Sequence, residues 1–215
     1  MTWSFERVTS SAADFHAREL PEPAQRAVWV CDATAPALVL GSAQPDRDVD
    51  REACAAAGVE VVRRHSGGGA VLVVPGEVLW VDLVLPAGDP LWQDDVGSAV
   101  HWVGDAWAAA LRDLGVTAAV HRGGLVRAPW SPQVCFAGLG PGEVTVGGRK
   151  VVGISQRRTR VAARFQCAAL LRWEPGAIVR LLALPPWAVR DLIVVAAAVA
   201  VDPATLLDAF RHRLT

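Results

Sequence analysis

Lys150 is the only lysine among 21 basic residues; the others are all arginine. A chain that meets its other needs for positive charge with arginine has kept one compact ammonium, which suits a site where a planar guanidinium will not fit. Its setting, Gly147-Gly148-Arg149-Lys150-Val151-Val152-Gly153, is a tight turn leading into a β-branched run, so Lys150 opens the return strand of a hairpin. From there an ammonium reaches a bound carboxylate, carbonyl or phosphate. A second segment, Arg63-Arg64-His65-Ser66-Gly67-Gly68-Gly69-Ala70-Val71, puts three glycines directly after a strand. Their backbone can approach a ligand closely with amides free for an anion, and the two arginines add donors. Walker and Rossmann glycine loops open a helix; these glycines lead into another strand, so neither applies.

The four cysteines, Cys31, Cys54, Cys135 and Cys167, are widely spaced and form no C-x-x-C pair, so neither a disulfide framework nor a zinc spacing is present. Cys31 and Cys54 sit in apolar patterns and read as buried small residues. Cys135, before Phe136, is set apart from these two. His16, His101 and His212 lack metal-like spacing and read as surface or satisfied histidines. His65, beside the glycines, and His121, before Arg122-Gly123-Gly124, are cavity candidates without an assigned role. Asp82 follows Trp80 on an apolar strand and reads as a buried, paired carboxylate whose partner the sequence does not name.

The elements that must position these groups can be read from periodicity. Residues 26–31 and 36–41 read as strands around a turn at 32–35, and 46–57 as a helix stopped by Gly58. Residues 59–63, 70–74 and 78–85 are strands, the last two joined at Pro75-Gly76. Asp94 or Asp95 is expected to cap a helix to Leu114, with Val96, Val100, Val103, Trp107, Leu111 and Leu114 on one face. A strand at 116–121, a loop at 122–132, a hairpin of 143–146 with 149–155 and a strand at 161–173 follow. Pro-broken helical runs end in a helix at 204–214. This order predicts an α+β fold with a mixed, largely antiparallel sheet flanked by helices.

Composition sets outer bounds. The 215 residues are 52% hydrophobic and 20% charged with formal net charge −1. That excludes a disordered chain and the broad basic field of a general nucleic-acid binder. The longest apolar run, 192–201, is far shorter than a bilayer span, and the first residues lack a basic start with an apolar stretch. The expectation is one cytoplasmic domain over residues 1–215, with no membrane or nucleic-acid partner and no C-terminal accessory domain.

Taken together, Arg63-Arg64-His65-Ser66-Gly67-Gly68-Gly69-Ala70-Val71 and, some eighty residues later, Gly148-Arg149-Lys150-Val151-Val152-Gly153-Ile154-Ser155-Gln156 resemble the lipoate–protein ligase A, octanoyltransferase and biotin–protein ligase superfamily. The resemblance runs from about Pro36, through Leu38-Val39-Leu40-Gly41-Ser42-Ala43-Gln44, to about Trp173. It implies a carboxylic-acid ligand, lipoate or octanoate, and transfer of its acyl group to a lysine on a small lipoyl carrier domain. That carrier would be of the 2-oxoacid dehydrogenase E2 or glycine-cleavage H-protein type. In a ligase, ATP and magnesium would first give an acyl-adenylate, with no metal site built by the protein. Arg64, Ser66, Gly67, Gly68, Gly69, Ala70, Val71, Leu72 and Gly153 would bind that intermediate, and Lys150 would touch the acyl carbonyl and phosphate. In a transferase of this superfamily Cys135 would carry the acyl group as a thioester, without ATP. The unbroken Ser66–Val71 run favours the ligase branch, whereas the short C-terminal stretch favours a transferase or a ligase with a separate accessory subunit; the leading expectation is a ligase, with the Cys135 transferase as the alternative. Two departures are visible: Val73 stands where the family usually has histidine, and Cys167-Ala168 where it has His-Gly. They leave room for an altered acyl substrate or a non-catalytic relative that binds an acyl or adenylate ligand.

Overall fold

The computed structural model describes residues 2–214. Among them the chain runs β1 (Ser4–Ser10), α1 (Ala12–Ala17), β2 (Ala27–Ala33), β3 (Ala37–Leu40), α2 (Arg51–Ala56), β4 (Glu60–Arg63), β5 (Val71–Val73), β6 (Val78–Pro86) and α3 (His101–Asp113). It continues through β7 (Ala118–Val120), β8 (Val144–Val146), β9 (Arg149–Arg158), β10 (Ala162–Leu170), α4 (Pro175–Leu181), α5 (Ala188–Ile193) and α6 (Pro203–His212). A seven-stranded sheet has the order β1-β2-β6-β10-β9-β8-β7, antiparallel except for β1 with β2. A three-stranded sheet has the order β4-β3-β5, with β3 parallel to β4 and antiparallel to β5. The fold is thus mixed α+β and largely antiparallel, as its element order implies.

The central strand β6 explains how two layers share one sheet. Successive side chains of a strand point to opposite faces. Leu79, Val81, Leu83 and Leu85 join Phe165, Cys167, Trp107 and Phe210 in a core beneath α3 and α6. Trp80 and Val84 pack on the other face, with Phe15 of α1 and Val39 and Val73 of the small sheet. The site lies on this second side, between the two sheets.

Three local readings are corrected. β1 and α1 were not anticipated: β1 is a polar, mostly exposed edge strand, and α1 has six residues, too few for a 3.6-residue period to register. Ser11 and Asp14 form a capping box that starts α1. The helix expected over 46–57 breaks into a 3-10 turn, Asp46–Asp48, and α2, because Val49 is buried in extended backbone and Asp50 caps afresh on the Ala53 amide at 2.8 Å. The helix expected from Asp94 or Asp95 begins only at His101. Asp95 does cap, on the Ser98 amide at 2.7 Å, but it caps a separate turn that leaves Val96 exposed.

Candidate active site

Absence of a side chain at Gly69 brings the Cys135 stretch against the glycine loop. A Cβ there would lie 2.5 Å from the Val134 nitrogen, so only glycine lets the 133–135 backbone lie against the loop. Ala70 then donates to Gln133 O at 2.7 Å, and Cys135 donates to Ala70 O at 2.9 Å, which sets Cys135 beside the glycines. Gly147 and Gly148, at φ 57° and 78°, make the hairpin turn expected between β8 and β9. That turn aims Lys150 at the same place. The segment after α5 fixes the lysine backbone: Lys150 N donates to Val195 O at 2.9 Å, and Ala197 N to Lys150 O at 3.0 Å.

The Lys150 ammonium is buried and its three donors are committed. They reach Glu143 Oε1 at 2.7 Å, Cys135 O at 3.1 Å and Gly138 O at 3.2 Å; Cys135 Sγ is 3.9 Å away. Burial pushes the amine down, but the Cys135 sulfur and Glu143 carboxylate more than offset this and hold it above the ordinary lysine value. Glu143 is itself fixed, accepting from Gly140 N at 2.6 Å and Ile154 N at 3.3 Å. Sequence reading recorded Glu143 only as the first residue of the hairpin. The hairpin register places it there: Val144 pairs with Val152, so the residue before Val144 comes alongside the lysine-bearing strand.

A cavity of about 740 Å³ opens between the sheets. Gly67, Gly68, Gly69, Val71, Cys135, Lys150 and Gly153 all line it, so ammonium, thiol and glycine loop share one space. Arg64 lines it too, but its guanidinium mainly holds the loop, donating to Ser66 Oγ, Val39 O, Gly67 O and Gly69 O at 2.7–3.1 Å. Ser66 accepts that bond and is 3.1 Å from Ser155 Oγ. Ala70 and Leu72 face away, into the core shared with α4 and α5, as strand alternation requires. Cys31, Cys54 and Cys167 are buried thiols that burial pushes up, whereas Cys135 is partly exposed in the cavity. Among the described residues, no three His, Cys, Asp or Glu side chains converge as a metal site would need.

Both departures from the family pattern are at the cavity wall. Val73 and Ala168 line it, while the Cys167 side chain packs in the core under α3. His65 and His121 do not line it, but His16, at 7% exposure, does. Asp82 finds its partner in Arg164, whose Nε donates to Oδ2 at 2.8 Å.

The lipoyl protein ligase A/B catalytic domain family matches residues 12–189, reaching beyond the 36–173 stretch legible by eye to include α1 and most of the α4–α5 region. Two octanoyltransferases LipM align over 73% of this chain: that of Moorella thermoacetica at 29% identity over 160 residues, and that of Kyrpidia tusciae at 33% over 161. The chain spans only 57% and 58% of those relatives' lengths. In fold it is similar to the bi-partite lipoate protein ligase of Thermoplasma acidophilum, at TM-score 0.76 and 16% identity over 100% of this chain and 82% of that one. It is likewise similar to a lipoate-protein ligase A solved with ATP, at TM-score 0.74 and 17% identity over 100% and 84%. A matched span that takes in the glycine loop, the thiol and the lone lysine leads to one conclusion: the chain belongs to the lipoyl protein ligase A/B catalytic domain family.

Proposed function

We propose that this chain is an acyltransferase that moves an octanoyl or lipoyl group, through a thioester on Cys135, to a lysine of a lipoyl carrier domain. The observation that carries this reading is Cys135 Sγ standing in the cavity 3.9 Å from a fixed ammonium. The octanoyltransferase relatives support it.

In the first half-reaction the Cys135 thiolate attacks the carbonyl carbon of an acyl thioester. The new C–S bond forms and the carbonyl pair moves to oxygen; when it returns, the donor's C–S bond breaks. The proton that Cys135 had given up ends on the departing donor thiol. In the second, the neutral ε-amine of a carrier lysine attacks the Cys135 thioester. An amide forms, the C–S bond breaks, and the proton lost by the amine restores the thiol. No oxidant and no ATP is needed. Lys150 acts as a fixed cation that favours thiolate and oxyanion, and the glycine-loop backbone adds amide donors beside it. Since its three donors are already held, the ammonium needs no reorganisation as charge develops.

The ligase reading has support besides the Ser66–Val71 run. Arg47 and Arg127 line the exposed part of the cavity, where guanidinium groups suit the phosphates of ATP or an acyl-adenylate. In that case ATP and magnesium would be substrates, and Cys135 would be dispensable. Incubating the chain with a lipoyl carrier domain decides the matter by carrier mass. Gain from an acyl-thioester donor without ATP, lost in Cys135→Ala, supports the transferase. Gain only with free acid and ATP supports the ligase and overturns the transferase. No gain under either condition, with acyl binding retained, points to a non-catalytic relative.

A further inference from the structure

We infer that His16 and Gln166 form a recognition site at the far end of the cavity for a hydrogen-bond acceptor on the tail of the acyl ligand. This rests on reading the cavity as an acyl site. The His16 ring lines it, is 7% exposed and lies against Trp80 with centroids 4.9 Å apart. Its Nδ1 is 3.4 Å from Gln166 Nε2, and Gln166 stands opposite Asp82 across β10 and β6. An amide nitrogen only donates, so His16 Nδ1 is the acceptor and the ring proton sits on Nε2. Among the described residues no protein acceptor meets that Nε2–H. The imidazole is neutral, its pKa held down to about 3 by burial and then by the charges of Arg164 and Arg64 and by His65.

The placement is built rather than incidental. Arg164 donates to Phe15 O at 2.6 Å and Arg18 O at 3.0 Å, clamping both ends of the turn that carries His16. Its Nε holds Asp82 at 2.8 Å, and Trp80 Nε1 donates to the same carboxylate at 2.8 Å. The register puts Trp80 opposite Ala168, and Ala168 opposite Gly153. A Cβ on Gly153 would lie 3.3 Å from Lys150 Cε, so the lysine end and the His16 end are two strand spacings apart. That is about 10 Å. An extended zigzag of about eight carbons, with bonds of about 1.5 Å set at tetrahedral angles, has a similar reach. Between the ends the wall is Val39, Val73, Val78 and Ala168, all apolar, with Val73 standing where the family usually has histidine. A plain alkyl tail would leave the His16 Nε2–H desolvated and unpaired; a hydroxyl, oxo, ureido or thioether tail would accept from it.

Calorimetry on the full chain tests this with two ligands, octanoate and 8-hydroxyoctanoate, in the wild type, His16→Leu and His16→Phe, each checked for folding by circular dichroism. The ratio of the two affinities within one protein cancels its folded fraction. The expected result is a swing of about tenfold toward octanoate in whichever of the two variants folds. The same ratio in wild type and variant overturns the inference and leaves the acyl cavity standing. A wild type that favours octanoate tenfold or more also overturns it. A folded wild type that binds neither acid overturns the acyl reading and this inference with it.

Discussion

At the residue scale the site turns on a charge that cannot relax. Lys150 is held by Glu143, Cys135 and Gly138 at the cavity wall, and its replacement by methionine keeps the stem and removes the cation. We expect Lys150→Met to lower acyl transfer about a hundredfold, equivalent to about 3 kcal/mol of transition-state stabilisation, in steady-state kcat/KM. Lys150→Arg will not restore it, because a planar fork does not fit contacts of 2.7–3.2 Å arranged around a point charge. Glu143→Gln strips the ammonium of its counter-charge. The expected cost is about 3 kcal/mol in urea unfolding, as for a buried charge left without its partner, together with a slower rate. Unchanged stability would mean that the carbonyls alone hold Lys150.

At the element scale the thiol is placed by backbone, not by side chains. Gly69→Ala would drive a Cβ to 2.5 Å from Val134 N, so we expect about 1–3 kcal/mol of destabilisation and a marked loss of Cys135 acylation. Gly67→Ala meets nothing within 4 Å and should leave the thermal midpoint nearly unchanged. Equal effects of the two changes would contradict this account of the loop. What the sequence disclosed at this scale follows from which signals are local. The β8–β9 hairpin was legible because Gly147-Gly148 has a turn chemistry of its own, and Val103, Trp107 and Leu111 recur at helical spacing in α3. Lys150, Cys135 and the glycines could be named from type and setting. Glu143 and His16 could not, because each gains its meaning from a partner on another element: Lys150 across the hairpin, and Gln166 some 150 positions away. α1 is too short to announce itself by periodicity, and β1 carries the polar pattern of an edge strand.

At the scale of the whole molecule, burying a neutral histidine links the fold to pH. The His16 pKa is about 3 in the folded chain against an ordinary 6.5. Below the ordinary value the unfolded chain takes up a proton that the folded chain refuses, so stability falls as pH falls from about 6.5 toward 3. The slope this residue contributes approaches about 1.4 kcal/mol per pH unit in that window. Urea unfolding of the wild type and His16→Phe at several pH values should show the slope reduced in the variant; parallel curves would place an exposed, ordinary histidine at this position. The same clamp joins the first helix to the central strands, since Arg164 and Asp82 are buried together beneath α1. Arg164→Met should therefore cost about 3–5 kcal/mol by leaving the Asp82 charge unpartnered, whereas a surface pair such as Arg122–Asp105 should contribute under about 1 kcal/mol.

The central claim is that Cys135 carries the acyl group, and it is tested most directly by intact mass spectrometry of the chain after brief exposure to an octanoyl thioester without ATP. The account predicts one octanoyl adduct on Cys135 that hydroxylamine removes, that a lipoyl carrier domain discharges, and that forms far more slowly in Lys150→Met. A chain that stays unmodified while the carrier is acylated only in the presence of ATP would contradict it.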